Sequence, residues 1–434
     1  MVQTNGVSMI VTRAATPALS HELSRSMRNE LADILAEGAV EAGFQPVVDL
    51  ASGRVVGWEA LARGPRGSSL ERPDLLFAAA RAAGRHEELD VLCQRNALRA
   101  ALDAGVRAPC VLFLNIEPDT SGFLPLDLRE LYARACSQMT VAVEITERAL
   151  TQRPGALLAH IADMRAMGVV VALDDVGTDT DTLAMMSLLE PEVIKLDLAL
   201  VQASPDAAIA EAVHAVHAQA ERTGATILVE GVETPEQARV GEALGATLAQ
   251  GWLYGRREVL IQLPDLPDEP IVCHGRHADP RDLTPHELLA DHRAARPTTR
   301  PLLVAMTTHL EEQARALGST AVLVASFDKD PRVGDGLRQR YAALGHELAF
   351  CALLGRAPQT DHDLSGYGGL RLAGDARDAE WAIAVVGPHF AAALIAHENA
   401  GADIAGEAMY DYVLTYDRVL ATAVAAALTA RMPG

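Results

Sequence analysis

Val171-Ala-Leu-Asp-Asp-Val-Gly-Thr178 is the stretch from which the rest of the chain can be read. Its apolar lead-in, Val169 to Leu173, spells a strand buried on both faces, and it runs straight into two adjacent carboxylates and a glycine turn. A strand without polar alternation suits a parallel sheet covered on both sides by helices. Acidic residues at the C-terminal end of such a strand stand where α/β barrels carry their chemistry. Adjacent carboxylates repel unless a cation sits beside them, which points to a divalent metal. Taken alone, Asp174-Asp175 reads more simply as a solvated acidic turn. The surrounding chain reverses that reading.

Outward from this stretch, apolar or β-branched runs recur near Phe44–Leu50, Val55–Ala62, Val111–Ile116, Thr140–Ile145, Val193–Leu196, Thr226–Val229 and Leu248–Tyr254. Between most of them lie Ala- and Leu-rich segments with helical spacing, such as Asp90–Ala104, Gly155–Met167 and Ala207–Arg222. Eight strands alternating with helices imply βα units and a parallel sheet, and their number fits a (β/α)8 TIM-like barrel. A doubly wound open sheet is the alternative, but no GxGxxG turn favours it. Residues 1–32 read as a partly helical N-terminal extension, with helical spacing from Ser20 through Glu41. Residues 33–260 form the barrel, and 261–300 a proline-rich linker with a short helix near Pro285–Ala295. Cys273, His274 and His277 in that linker lack further ligands and read as decoration rather than a metal cluster. Residues 301–434 read as a smaller mixed α/β domain, with helices at Met306–Leu317, Val333–Leu344 and Tyr416–Arg431. Its expected strands are Thr320–Phe327, Glu347–Leu354, Gly368–Leu372 and Trp381–Val386.

Composition narrows the function class. The 434 residues carry a net charge of −21, which argues against sequence-independent nucleic-acid binding. No apolar run approaches membrane-spanning length, and Met1 to Ala18 lacks the pattern of a secretion signal. Five scattered cysteines without a CxxC suit a reducing cytoplasm. Only two lysines, Lys195 and Lys329, stand among 35 arginines, a hint that Lys195 performs a task needing a compact ammonium.

The strand ends then assemble a constellation. Glu59, Asn115, Glu144, Asp174, Asp175, Lys195, Glu230 and Gln250 each stand in or just past the strand runs, toward one end of the barrel. Carboxylates with an asparagine carbonyl, and no cysteine or histidine, select hard cations such as Mg²⁺ or Mn²⁺. Two such ions close together suit hydrolysis of a phosphodiester. Lys195 is positioned to orient or help deprotonate the attacking water and to screen growing charge. Arg63 suits a substrate phosphate, and Gln45 a hydrogen bond to the substrate.

In order and spacing, Gln45-Pro46, Glu59-Ala-Leu61, Asn115, Glu144-Ile-Thr-Glu147, Asp174-Asp175, Lys195-Leu-Asp197, Glu230-Gly-Val-Glu233 and Gln250-Gly251 resemble the EAL domain, a bacterial cyclic di-GMP phosphodiesterase family. The resemblance covers residues 33 to about 258. It implies Mg²⁺- or Mn²⁺-dependent hydrolysis of cyclic di-GMP to linear pGpG in second-messenger signalling. It implies Glu59, Asn115, Glu144 and Asp174 as ligands of a first metal, and Asp174, Asp175 and Glu230 as ligands of a second. By the same resemblance Lys195 and Glu230 activate water, Glu147 braces the loop after Asp175, and Gln45, Leu61, Arg63, Glu233 and Gln250 contact substrate. It further implies a homodimer. More loosely, Leu302–Leu310, Val322–Phe327, Trp381, Val385-Val386, Phe390–Leu394 and Tyr416-Asp-Arg-Val419 resemble the DICT sensory module, which implies signal input, dimerisation or a protein partner at the C-terminal domain.

One departure stands out. The family loop after the paired aspartates usually reads Phe-Gly-Thr-Gly-Tyr-Ser-Ser, and here it is Val176-Gly-Thr-Asp-Thr-Asp-Thr182. Val176 lacks an aromatic anchor, and Asp179 replaces a glycine. Two function classes therefore stay open: a phosphodiesterase, and a catalytically weak or inactive cyclic di-GMP receptor.

Overall fold

The computed structural model describes residues 25–116, 124–145, 154–177, 180–197, 199–200, 207–258, 272, 275, 279, 281, 283–290, 292–327, 335–355, 370–374, 380–404 and 407–432. Cys273, His274 and His277 lie outside them, as does the start of the expected N-terminal helix. Helix α1 (Arg25–Glu37) buries Leu31, Ile34 and Leu35, the i, i+3, i+4 face, and ends before the chain extends into β1 (Glu41–Asp49). There follow β2 (Val55–Arg63), α2 (Pro73–Ala82), α3 (His86–Asp103), β3 (Val111–Asn115), α4 (Leu126–Cys136), β4 (Thr140–Ile145), α5 (Pro154–Ala166) and β5 (Val170–Val176). Next come α6 (Thr180–Leu189), β6 (Val193–Leu196), α7 (Ala207–Thr223), β7 (Thr226–Val229), α8 (Pro235–Ala243) and β8 (Leu248–Gln250).

β1 to β8 close into a barrel in chain order. Its lumen is filled by Val47, Val56, Val111, Phe113, Ala142, Val170, Ala172, Val193, Leu228 and Leu248, the inward positions of successive strands. The expectation of a wholly parallel sheet needs correction at one strand. β1 runs antiparallel to both β2 and β8, because the short Leu50–Arg54 turn joins β1 to β2 as a hairpin and leaves no room for a crossover helix. The start of β1 therefore lies at the same end as the finish of β2, so Gln45 pairs with Glu59 and Gly43 with Leu61.

Beyond the barrel come α9 (Pro285–Ala290), β9 (Arg296–Thr299), α10 (Arg300–Leu317), β10 (Val322–Ser326), α11 (Asp335–Glu347), β11 (Phe350–Gly355), β12 (Leu370–Gly374) and β13 (Trp381–Val386). The chain continues through β14 (Ala391–Ile404), β15 (Glu407–Thr415) and α12 (Arg418–Ala430). Seven strands form a second sheet in the order β12-β11-β10-β13-β14-β15-β9. The long β14–β15 hairpin lies outside the sequence expectation, since Ala391–Ala393 and Ala396 carry helical rather than strand preference. Leu323, Ala325, Leu353, Ile383, Val385 and Leu394 face α10 and α11 on one side of the sheet.

The other side of the sheet meets α12, and α12 in turn meets α5 and α6 of the barrel. Leu420, Ala421, Val424, Ala425 and Leu428 are buried in this seam. Asp417 starts the helix by accepting from the backbone N–H groups of Val419 and Leu420 at 3.0 and 3.3 Å. At its far end the carbonyls of Thr429 and Met432 lie against Gly155, where a β-carbon would come within 2.6 Å of Met432 O and 2.8 Å of Thr429 O. No helix among the described residues is long and apolar enough to cross a membrane.

Candidate active site

The site is built on a local irregularity of β5. Leu173 pairs with Ile194 and Val176 with Leu196, so β5 spends one residue more than β6 across Asp174-Asp175. Neighbouring residues of a regular strand point to opposite faces, and a bulge cancels that alternation. Asp175 completes the effect with φ of 57°, a left-handed conformation that aspartate tolerates better than most residues. The two carboxylates consequently converge with Glu230, one oxygen from each lying within 4.8 Å of the others.

Lys195 occupies the centre. Its ammonium lies 2.5 Å from Glu144 Oε1, 2.6 Å from Glu230 Oε1 and 2.9 Å from Asp174 Oδ1. Lys195 and Glu144 are each only 1% exposed. Burial alone would lower the Lys195 pKa, but the surrounding carboxylates of Glu144, Glu230, Asp174 and Glu59 more than reverse this and hold its proton firmly. Burial pushes the Glu144 carboxyl well above the usual range, and the charges of Glu59, Asp174 and Glu230 add to the push against Lys195. Glu230 is raised in the same way, first by burial and with Lys195 opposing.

A second group stands across the mouth on β1, β2, β3 and β8. Glu59 accepts from Asn115 Nδ2 at 2.9 Å through Oε1 and from Gln250 Nε2 through Oε2. Gln250 Nε2 also reaches Gln45 Oε1 at 3.2 Å, and Gln45 donates to the carbonyl of Gly255 at 3.1 Å. Amides thus hold the Glu59 carboxylate from both sides, fixing its orientation.

These residues fit a hard divalent cation. Glu144, Asp174 and Glu230 converge on one ammonium, Asp175 lies beside Asp174 and Glu230, and the buried Glu144 Oε2 has no hydrogen-bond donor. Such an excess of clustered carboxylate oxygen is the donor set of Mg²⁺, Mn²⁺ or Ca²⁺.

Of the remaining sequence-expected residues, Leu61 and Arg63 follow Glu59 on β2, and the carbonyl of Leu61 accepts from Arg257 Nε at 3.2 Å. Glu233 is exposed beside the start of α8, its backbone N–H donating to Gln237 Oε1 at 2.7 Å. Glu147 lies outside the described residues, as do Thr178 and Asp179 of the altered loop. Val176 is fully buried and pairs with Leu196, so the valine belongs to the barrel core. Arg257 at the mouth escapes sequence reasoning, because its neighbours Gly43 and Leu61 lie about two hundred residues away in the chain. A cavity of about 470 Å³ lined by His217, Glu221, Thr226 and Thr247 opens at the opposite end of the barrel, away from the carboxylates.

The EAL domain profile matches residues 28–257. The chain is 32% identical over 236 residues to the cyclic di-GMP phosphodiesterase RocR of Pseudomonas aeruginosa, covering 51% of this chain and 58% of that protein. It is 28% identical over 249 residues to the cyclic di-GMP phosphodiesterase NbdA of the same organism, covering 55% of this chain and 31% of that one. Its match thus spans less than two thirds of each of these relatives. Among solved structures, a manganese/cyclic di-GMP complex of Klebsiella pneumoniae BlrP1 is 26% identical, covers 51% of this chain and 57% of that chain, and has a TM-score of 0.45. The chain belongs to the EAL domain family.

Proposed function

We propose that this chain hydrolyses cyclic di-GMP to linear pGpG, using Mg²⁺ or Mn²⁺ held by Glu59, Asn115, Glu144, Asp174, Asp175 and Glu230. The observation that carries the reading is the convergence of Glu144, Asp174 and Glu230 on the buried Lys195 ammonium at the end of the barrel where the β2–β8 strands finish. When bound, the cations would supply positive charge opposite a phosphoryl oxygen and lower the pKa of water. Glu230, at the edge of the cluster and 2.6 Å from Lys195, is placed to accept a proton from water approaching the phosphorus. Lys195 orients Glu230 and Asp174 through its N–H groups and screens the negative charge that grows on the phosphoryl oxygens. Asn115 and Gln250 hold Glu59 in place, Gln45 steadies Gln250, and Arg63 would meet substrate phosphate.

The second domain governs this activity in the same proposal, as a sensory module of the DICT kind. Support comes from the seam. α12 packs on α6, and α6 begins five residues after Asp175, so a shift of α12 reaches the aspartates through one short loop. Deleting residues 301–434 should then alter turnover or oligomeric state. An unchanged rate together with an unchanged oligomer would remove the regulatory claim.

The activity is tested by incubating the purified chain with cyclic di-GMP in Mg²⁺ and in Mn²⁺ and following pGpG by chromatography. Glu59→Ala should lower turnover by about 10²–10³-fold or more. Wild-type turnover in the variant would sink the metal assignment. Saturable binding by the wild type without any product would make the chain a receptor instead.

A further inference from the structure

After Gln250 the chain leaves β8 as Gly251-Trp-Leu-Tyr-Gly-Arg-Arg-Glu258 and doubles back beside β1. Phe44 N donates to Glu258 O at 2.6 Å, and Glu258 N returns a bond to Phe44 O at 2.9 Å. Phe44 points outward into the helix layer, so its neighbours Gly43 and Gln45 face the mouth. Arg257, one residue before that bridge, lies over Gly43. A β-carbon at position 43 would overlap the Arg257 guanidinium, so only glycine leaves this space open. Arg257 Nε is fixed to the carbonyl of Leu61, the residue that pairs with Gly43. Arg63 stands two residues further along β2, on the same strand face as Glu59 and Leu61.

Leu61 brings the two arginines to one corner of the mouth, its carbonyl accepting from Arg257 while Arg63 lies two residues further on. The Arg257 pKa is depressed first by burial and then by the charge of Arg63, with Glu41 and Glu71 opposing. Among the described residues neither arginine makes an ion pair, and the buried Arg63 Nε has no hydrogen-bond partner. Glu41, opposite Arg63 on β1, and Glu71 offset part of the repulsion between the two like charges without an ion pair to either arginine among the described residues, which leaves room for an anion. Arginine forks suit phosphate oxygens, and the chain is otherwise strongly acidic, with a net charge of −21.

We infer that Arg257 is a substrate-binding residue that joins Arg63 to hold the phosphodiester group lying away from the carboxylates. A cyclic dinucleotide has two phosphodiester groups, and the acidic cluster serves only one. The inference rests on the proposed function and deepens it by adding a second anchor for the same substrate. Gly43 is the positioning residue, since its missing side chain admits the guanidinium.

The test measures equilibrium binding of cyclic di-GMP in Ca²⁺ and steady-state hydrolysis in Mg²⁺ for the full chain, Arg257→Ala and Gly43→Ala. Arg257→Ala should weaken binding and raise KM about tenfold or more, while kcat falls less than about threefold. Gly43→Ala, which keeps the charge but displaces it, should weaken binding in the same direction. Binding by Arg257→Ala equal to wild type overturns the inference, and so does a loss confined to kcat with KM unchanged. A wild type that binds without hydrolysing overturns the proposed activity, and the ratio of binding constants still decides the place of Arg257. A wild type that neither binds nor hydrolyses cyclic di-GMP overturns both.

Discussion

The mouth of the barrel and the seam along α12 are buried alike and built on opposite principles. Lys195 at the mouth is 1% exposed and Leu428 in the seam is 0% exposed. Around Lys195 the neighbours are carboxylates at 2.5–2.9 Å, whereas Leu428 belongs to a cluster of buried apolar side chains. Burying the apolar helix removes hydrocarbon from water and stabilises the fold. Burying Glu144 and its companions costs solvation that a single ammonium only partly offsets. The seam holds the molecule together, while the mouth is held in place by the rest of it. A region that opposes its own burial is the more informative about function.

Lys195→Met removes the ammonium and leaves Glu144, Asp174 and Glu230 facing each other. Stability in EDTA should fall by about 3–5 kcal/mol, as for other buried charges stripped of a partner. Mg²⁺ should restore more of the melting temperature in the variant than it adds to wild type. Equal stability of the two proteins in EDTA would mean that the mouth is not under electrostatic strain.

Leu428→Ala probes the seam. It deletes a fully buried side chain where α12 meets its neighbours, and denaturant unfolding should show a loss of about 2–5 kcal/mol. Added divalent metal should recover none of it. A loss under about 1 kcal/mol would mean that α12 is not a packed element of the core.

Glu311 sharpens the contrast at the smallest scale. It is buried on α10 beside Arg340, Tyr341 and Arg315, far in the fold from the mouth. Burial raises its pKa above 4.5, with Arg340 opposing. A carboxyl whose folded-state pKa is raised stabilises the fold below the ordinary carboxylate value, and that contribution is lost as pH rises through the folded pKa. Glu311→Gln removes this slope. The variant should therefore gain melting temperature relative to wild type between pH 4 and pH 8. A difference that stays constant or runs the other way would show that Arg340 neutralises Glu311 completely.

Much of the barrel was legible because its signals are local. Eight apolar runs and the acidic residues that end them are correlations over a few positions, and the eight strands stand where those runs lie. The tertiary structure decided what each residue meets. Periodicity assigns Asp174 and Asp175 to opposite faces, and only the bulge against β6 and the positive φ of Asp175 aim both at Glu230. The hairpin reversed β1, the alanine-rich β14 joined a sheet by pairing with β13 and β15, and α12 found a place between two cores. Gly43 and Arg257 met across more than two hundred residues. Local composition encodes which face is apolar and where an element stops. Contacts between distant segments leave no such periodic trace, because they are settled by closure of the barrel and by packing once the elements exist.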